Sequence, residues 1–464
     1  MPKNRTNMKL TKSIIAGALL CAAAPAAAQT TYSGYFLDNY TYRYQMNPAF
    51  GNEKGFVSFP VLGDINLAMR GNLNLSDVLY NLDGKTVLFT NPGISVDEAM
   101  SKFNDGANRL GANIKLDIMS VGFKAFKGYN TVSLSANVNA NASLPGSFFA
   151  LAKEGIENRT YDIKDLFANA NAYATVALNH SHEIKQVPGL RVGGTLKFYI
   201  GAGNVDFQFD RAELTLGRDS WTALTNANIY ASLTGFRYDT KRNDNTGRDY
   251  VSGGNLDDGF GLNGFGMGLD LGAEYKWRDF RFSLSVLDLG FMRWGKTAWA
   301  STNGDKTVDT DSYIFNADSD APNSFEKEWD RLTDDLSGLY QLDDNGTLNS
   351  RTRTLGATIN WGVDYALPYY RKLHFGLVNS TRINGPYTWT QFRLSANVAP
   401  VKWLSADVNM VAGTYGVGFG WLLNIHTTGF NFFAGMDHTI GRLSKQMIPL
   451  KSNADFNLGI NFPF

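Results

Sequence analysis

The sequence predicts an all-β fold, a transmembrane antiparallel β-barrel of 14–16 strands with short helices in its extracellular loops and an N-terminal segment beneath or inside it. Three observations carry this prediction. The chain opens with an export leader, and no later stretch approaches the roughly 18–20 apolar residues of a membrane helix. The last residues alternate cleanly, with Phe456, Leu458, Ile460, Phe462 and Phe464 on one face and Asp455, Asn457, Gly459, Asn461 and Pro463 on the other. An oily terminal strand is a hazard at an open sheet edge, but in a closed barrel it pairs with the first strand and faces lipid.

Taken in order, Lys3, Arg5, Lys9 and Lys12 precede an apolar run from Ile14 to Ala24 and the small residues Ala26-Ala27-Ala28. Residues 1–28 therefore read as a signal peptide cleaved near Ala28-Gln29. A lipoprotein reading of Cys21 is disfavoured, because Leu20 is not the small residue that lipid attachment requires. Without Cys21 the exported chain has no cysteine, which excludes disulfides, thiol catalysis and thiolate metal sites. Its 39 basic and 43 acidic residues speak against nucleic acid as a partner. Outer-membrane lipid and the barrel assembly machinery are the expected partners, with Phe462 and Phe464 as the assembly signal, and no cofactor is implied.

Residues 29–55 hold Tyr32, Tyr35, Tyr40, Tyr42 and Tyr44 and end in Asn47-Pro48-Ala49, without clean alternation. They read equally as a periplasmic lead-in or as a plug of the barrel, which occupies 56–464. Strands are expected near 56–73, 112–126, 130–144, 166–185, 189–201, 204–217, 220–237, 263–277, 280–292, 352–365, 371–383, 387–400, 402–413, 415–425, 428–437 and 455–464, sixteen as drawn. Fourteen result if 189–217 or the first strand is miscounted. Within 130–144, Val132, Leu134, Ala136 and Val138 oppose Ser133, Ser135, Asn137 and Asn139, a lipid face against a small polar one. With Phe464 at the periplasm, 74–111, 145–165, 238–262, 293–351 and 438–454 become outer loops. Tight turns such as Gly217-Arg218-Asp219, Arg278-Asp279 and Pro400-Val401 fall inside, as such barrels require.

Two outer loops carry helical signals. Ser95 and Glu98 have capping-box spacing ahead of Met100, Phe103, Ala107 and Leu110, and Asn323 and Glu326 repeat the device ahead of Trp329, Leu332 and Leu336. Asn303 to Asn345 holds twelve acids against Lys306, Lys327 and Arg331, which reads as a solvated face.

The segment Tyr42-Arg43, Asn47-Pro48-Ala49 and Val57-Ser58-Phe59-Pro60-Val61-Leu62-Gly63-Asp64, with Val286-Leu287-Asp288-Leu289-Gly290-Phe291 and Trp294, resembles an uncharacterised family of Bacteroidota outer-membrane barrels. That family is distantly similar to FadL- and PorV-type barrels. The resemblance implies a Gram-negative outer-membrane transporter or channel for small solutes, hydrophobic ones among them. Its alternative is a non-transporting scaffold that docks secretion machinery or a lipoprotein. It defines no catalytic or ligand residue.

Asn179-His180-Ser181-His182 invites a metal or hydrolase reading. On a strand His180 and His182 share a face and Ser181 points away, so interfacial packing is preferred. Gly259-x-Gly261-x-x-Gly264 matches a dinucleotide fingerprint in letters, but Gly264, Gly266 and Gly268 run into a strand rather than a helix. Asp309-x-Asp311 and Asp343-Asp344-Asn345-Gly346 lack a full calcium-loop spacing. No enzyme is expected. Inward-facing Asn137, Asn139, Asn141, Asn169, Asn171, Asn226 and Asn228 are the candidate lumen lining, either to hydrate a pore or to fill it.

Overall fold

The computed structural model describes residues 31–464 apart from 155–158, 165, 217–219, 244–246, 257–260, 303–304, 310–321, 323, 325–326, 329, 332–340 and 441–450. Fourteen antiparallel strands follow one another around a closed ring. They are β1 (Phe56–Ser58, resumed at Ile65–Gly71), β2 (Ala107–Ala125), β3 (Gly128–Pro145), β4 (Phe167–Glu183), β5 (Leu190–Leu216), β6 (Gly264–Trp277) and β7 (Phe280–Trp294). The other half comprises β8 (Arg351–Thr354, resumed at Ala357–Ala366), β9 (Leu373–Ile383), β10 (Trp389–Val401), β11 (Leu404–Gly413), β12 (Gly416–His426), β13 (Asn431–Met436) and β14 (Ala454–Pro463). The ring seals where β1 lies between β2 and β14, with Val57 opposite Phe462 and Leu67 opposite Phe456.

Burial is inverted relative to a water-soluble protein. On β6, Phe265, Leu269 and Leu271 are exposed while Asp270 and Glu274 are buried. On β10, Phe392 and Leu394 face outward, whereas Arg393 between them is only 1% exposed. Period two makes this unavoidable, since each strand must show one face to hydrocarbon and the other to the lumen. Aromatic rings gather at the end where Phe464 lies: Trp277 and Tyr365 flank Phe280, and Phe462 sits against Phe59 and Phe430. Such belts mark the membrane–water interface. Connections at this end are tight, while the long connections, from β1 to β2, β3 to β4, β7 to β8 and β13 to β14, leave the strands at the opposite, outer end.

Fourteen strands rather than sixteen follow from one stretch. The segments 189–201 and 204–217 are a single strand, β5, whose lower half pairs with β6 (Leu196 opposite Leu269) and whose upper half pairs with Ser220–Leu233 (Phe207 opposite Ile229). Ser220–Leu233 is not a crossing strand. Its other edge pairs with Thr297–Ser301 and Asp305–Asp309, so it stands beyond the outer rim. Gly201-Ala202-Gly203 makes no turn: the register slips there, Ala172 and Tyr173 pairing with Gly203 and Gly201 across an unpaired Ala202, a bulge. The predicted periplasmic turn 217–219 lies outside the described residues; Leu214 and Ala223, on either side of it, pair with each other beyond the outer rim.

The first loop helix is shorter than its stripe suggested. In α1 (Val96–Met100) the Ser95 side chain accepts the Glu98 amide at 3.2 Å, but Ala107 and Leu110 belong to β2, where pairing with β3 overrides the helical pattern. A second helix, α2 (Gly146–Glu154), stacks Phe149 on Phe103 with ring centroids 3.9 Å apart. The helix expected near 323–340 lies largely outside the described residues.

Candidate functional site

The lumen is not empty. Residues 31–55 lie inside the ring, and Tyr35, Tyr40, Tyr42, Met46 and Phe50 are buried against Tyr129, Leu422 and Phe433 of the strands. Edge-on ring contacts join Tyr40 to Phe433 at 5.0 Å and Tyr35 to Phe50 at 5.1 Å. The segment forms only one short 3-10 turn (Thr41–Gln45), so its backbone groups need partners from the wall. The wall supplies them. Asn360 and Ser285 donate to the Met46 carbonyl at 2.9 and 2.7 Å, Asn424 to Asn39 at 2.9 Å, and Arg281 to Phe36 at 2.7 Å.

Asn47-Pro48-Ala49 has a seat of its own. The Asn47 amide donates to the carbonyls of Ala273 and Leu284, its oxygen accepts the Ala49 N–H, and Asn179 donates to the Pro48 carbonyl. A Cβ at Gly272 would overlap the Asn47 side chain, and one at Gly193 would overlap the Pro48 backbone. Glycine is required at both by close approach. Asp38, 54% exposed, bridges Arg43 at 2.8 Å and also Arg281, and the two guanidiniums hold its carboxyl well below the usual carboxylate range.

Asp437, just past β13, ties this inner segment to the wall above it. Its carboxylate accepts the amides of Tyr32 at 2.9 Å and Ser33 at 2.6 Å, and faces Arg70 at 3.4 Å and Arg393 at 3.6 Å. The site was not visible in the sequence, although Arg70 shares the inward face of β1 with Asn66 and Ala68.

Above the segment, toward the outer rim, opens a cavity of about 580 Å³. Arg70 lines it, together with Arg109, Arg353, Arg382, Trp389, Tyr387 and Tyr415. Of the sequence-predicted lining residues, Asn139, Asn141, Asn169 and Asn171 reach this cavity. Asn113 donates to Asn139 (2.8 Å), Asn139 to Asn171 (2.9 Å), Asn171 to Asn169 (3.0 Å) and Asn169 to the Asp206 carboxylate (2.5 Å). Asn137 lies one pleat lower and donates to Thr175 at 3.1 Å. Asn226 and Asn228 do not join them: both sit on Ser220–Leu233 beyond the rim, where Asn228 donates to Asp210 and accepts from Trp299. Their displacement follows from the strand count.

Arg382, one of the arginines at the cavity, belongs to an ionic knot in the barrel wall. Lys197 lies 2.7 Å from both Asp270 and Asp288, and Arg382 lies 3.3 Å from Asp288. Asp288 adopts a left-handed backbone (φ 59°) at a register slip between β6 and β7, its amide donating to Asp270 at 2.7 Å. The motif Val286-Leu287-Asp288-Leu289-Gly290 is thus a bulge that turns a carboxylate inward. His180 and His182 share the outer face of β4 and meet at 3.1 Å, with His180 also bonded to Asn130, while Ser181 is buried on the other face. Among the described residues no group of three or more metal-ligating side chains occurs. Gly268 makes room for the Tyr199 ring.

Residues 48–437 match the model of a family described as a family of unknown function, DUF5723. The chain belongs to that family. No curated protein matches it. Among solved structures it is similar to the toluene transporter TodX of Pseudomonas putida, at 8% identity over 90% of this chain and 92% of that one, TM-score 0.39. It is similar also to a FadL homologue of Pseudomonas aeruginosa (11% identity, 95% and 97% covered, TM-score 0.40). The translocator domain of the autotransporter NalP from Neisseria meningitidis is a further match (9% identity, 94% and 100% covered, TM-score 0.32). At these identities the likeness assigns this DUF5723 chain no cargo.

Proposed function

We propose that this DUF5723 chain is an outer-membrane uptake barrel in which residues 31–55 stopper the lumen and the outer cavity receives a small solute. The observation that supports it is the sharing of Asp437: Arg70 faces the cavity, the Tyr32 and Ser33 amides belong to the stopper, and one carboxylate holds both. A solute that draws Arg70 away weakens the hold on the stopper, which is the differential contact a gate requires. No catalytic step belongs to this reading. Export through the leader, cleavage near Ala28-Gln29 and recognition of Phe462 and Phe464 by the assembly machinery are parts of the same proposal. Phe464 stands at the rim, 70% exposed, its amide donating to Gly55 at 2.9 Å.

The test is conductance in planar bilayers. The intact protein stays closed, and deletion of residues 31–50 produces steady channels; a deletion variant that folds and remains closed refutes the stopper. A docking scaffold is the second reading, favoured by the sheet that Ser220–Leu233, Thr297–Ser301 and Asp305–Asp309 raise beyond the rim. A protein or lipoprotein that copurifies reproducibly, together with a deletion variant that conducts nothing, would favour it.

A further inference from the structure

The wall of the outer cavity is built for a guest more polar than a hydrocarbon. A primary amide has two N–H donors and an oxygen with two lone pairs. In the chain Asn113, Asn139, Asn171, Asn169, each link uses one donor and one acceptor site; Asn139 spends its second N–H on the Tyr173 hydroxyl at 3.5 Å, so Asn171 keeps a donor and both inner members keep a lone pair along one wall. Adjacent hydroxyls of a sugar both give and accept hydrogen bonds and complement such a row. An alkyl chain would desolvate these amides and return nothing. Tyr387 and Tyr415 add ring surface of the kind on which a sugar's C–H face packs.

Charge narrows the class. Four arginines line the cavity with one carboxylate, Asp206, which is already bridged by Arg351 and lies 3.3 Å from Arg353. Arg382 is held by Asp288 and Arg70 by Asp437. Arg109 is different. Its guanidinium donates to the Thr388 carbonyl at 3.3 Å, and among the described residues it makes no ion pair with a carboxylate. The volume lies within the roughly 300–1,000 Å³ typical of small-molecule sites.

We infer that the cavity binds an acidic saccharide, its hydroxyls on the asparagine row and its anionic group on Arg109. This deepens the uptake reading and rests on it for the direction of traffic, but binding itself is measured separately. The full-length protein in lipid nanodiscs is titrated calorimetrically with digalacturonate, neutral digalactose, galactose 1-phosphate and decanoate. Digalacturonate should bind at least about tenfold more tightly than digalactose, the scale of a charge-assisted bond. R109Q should erase that difference, N139L should weaken both disaccharides, and R371Q, at the periplasmic rim, should change neither. Retained compact migration on unheated gels shows that each variant has folded. Tighter binding of the sugar phosphate keeps the site and assigns its anion to phosphate. Equal binding of the neutral disaccharide, an R109Q variant that still discriminates, or binding of decanoate alone overturns the inference. If nothing binds but the 31–50 deletion conducts, uptake stands and this inference falls; if digalacturonate binds but the deletion stays closed, the reverse holds.

Discussion

Single residues decide whether the lumen stays filled. Replacing Asp437 by Asn removes the charge that Arg70 and Arg393 share and weakens the grip on Tyr32 and Ser33. Breaking a buried charge cluster typically costs roughly 3–5 kcal/mol. The expected outcome of D437N is an intact ring whose residues 31–55 become cleavable by a protease added to nanodiscs, with flickering conductance where the native protein is silent. Gly272→Val tests the same seat sterically, because its side chain would occupy the space of Asn47. It should loosen the segment while leaving β6 paired. An unchanged protease pattern in both variants would show that neither contact holds the segment. The first strand was legible over 56–73. That its Arg70 meets Asp437 was not, because the two are 367 positions apart and no local pattern encodes the pairing.

At the scale of elements, alternation identified strands well and membrane crossings less well. Val205, Phe207 and Phe209 keep period two after β5 has left the membrane, because a sheet standing in water above the rim still has two faces. The split at Gly201-Ala202-Gly203 took glycines for a turn, whereas they relieve crowding: a Cβ at Gly201 would press on Trp294 and Met292. True turns show themselves in the backbone at Gly189 and Gly235, with φ of 88° and 74°. The correction is directly measurable. With Cys21 in the expected leader, a cysteine placed at Thr215 should react with a membrane-impermeant maleimide on intact cells, while one at Lys402 should not. Labelling at Lys402 alone would invert the barrel. The short α1 teaches the same lesson from the other side, since capping was read correctly and its length was set by pairing that only the fold supplies.

For the whole molecule, position relative to the wall matters more than chemical similarity. Arg393 is buried in the lumen, and its neighbour Leu394 faces lipid at 56% exposure. A charge on the lipid face costs roughly 2–4 kcal/mol near the bilayer midplane. L394R should therefore sharply lower the yield of heat-modifiable barrel, although arginine already stands one residue away; full yield would contradict the inverted architecture. Fold class and orientation of faces were readable because lipid imposes them on every strand. The cavity was only half readable, since its asparagines lie on strands whose neighbours can be counted, whereas Arg109 and Asp437 depend on the whole circumference.

The seam between β1 and β14 is also fastened from the inside. Tyr40 and Thr41 bond Asn457 and Asn461 on one lip of that seam, and Tyr42 packs on Phe56 at the other. Residues 31–55 therefore clasp the closing junction from within, and these contacts are complete only once the two lips meet, as a rivet holds two edges of one plate.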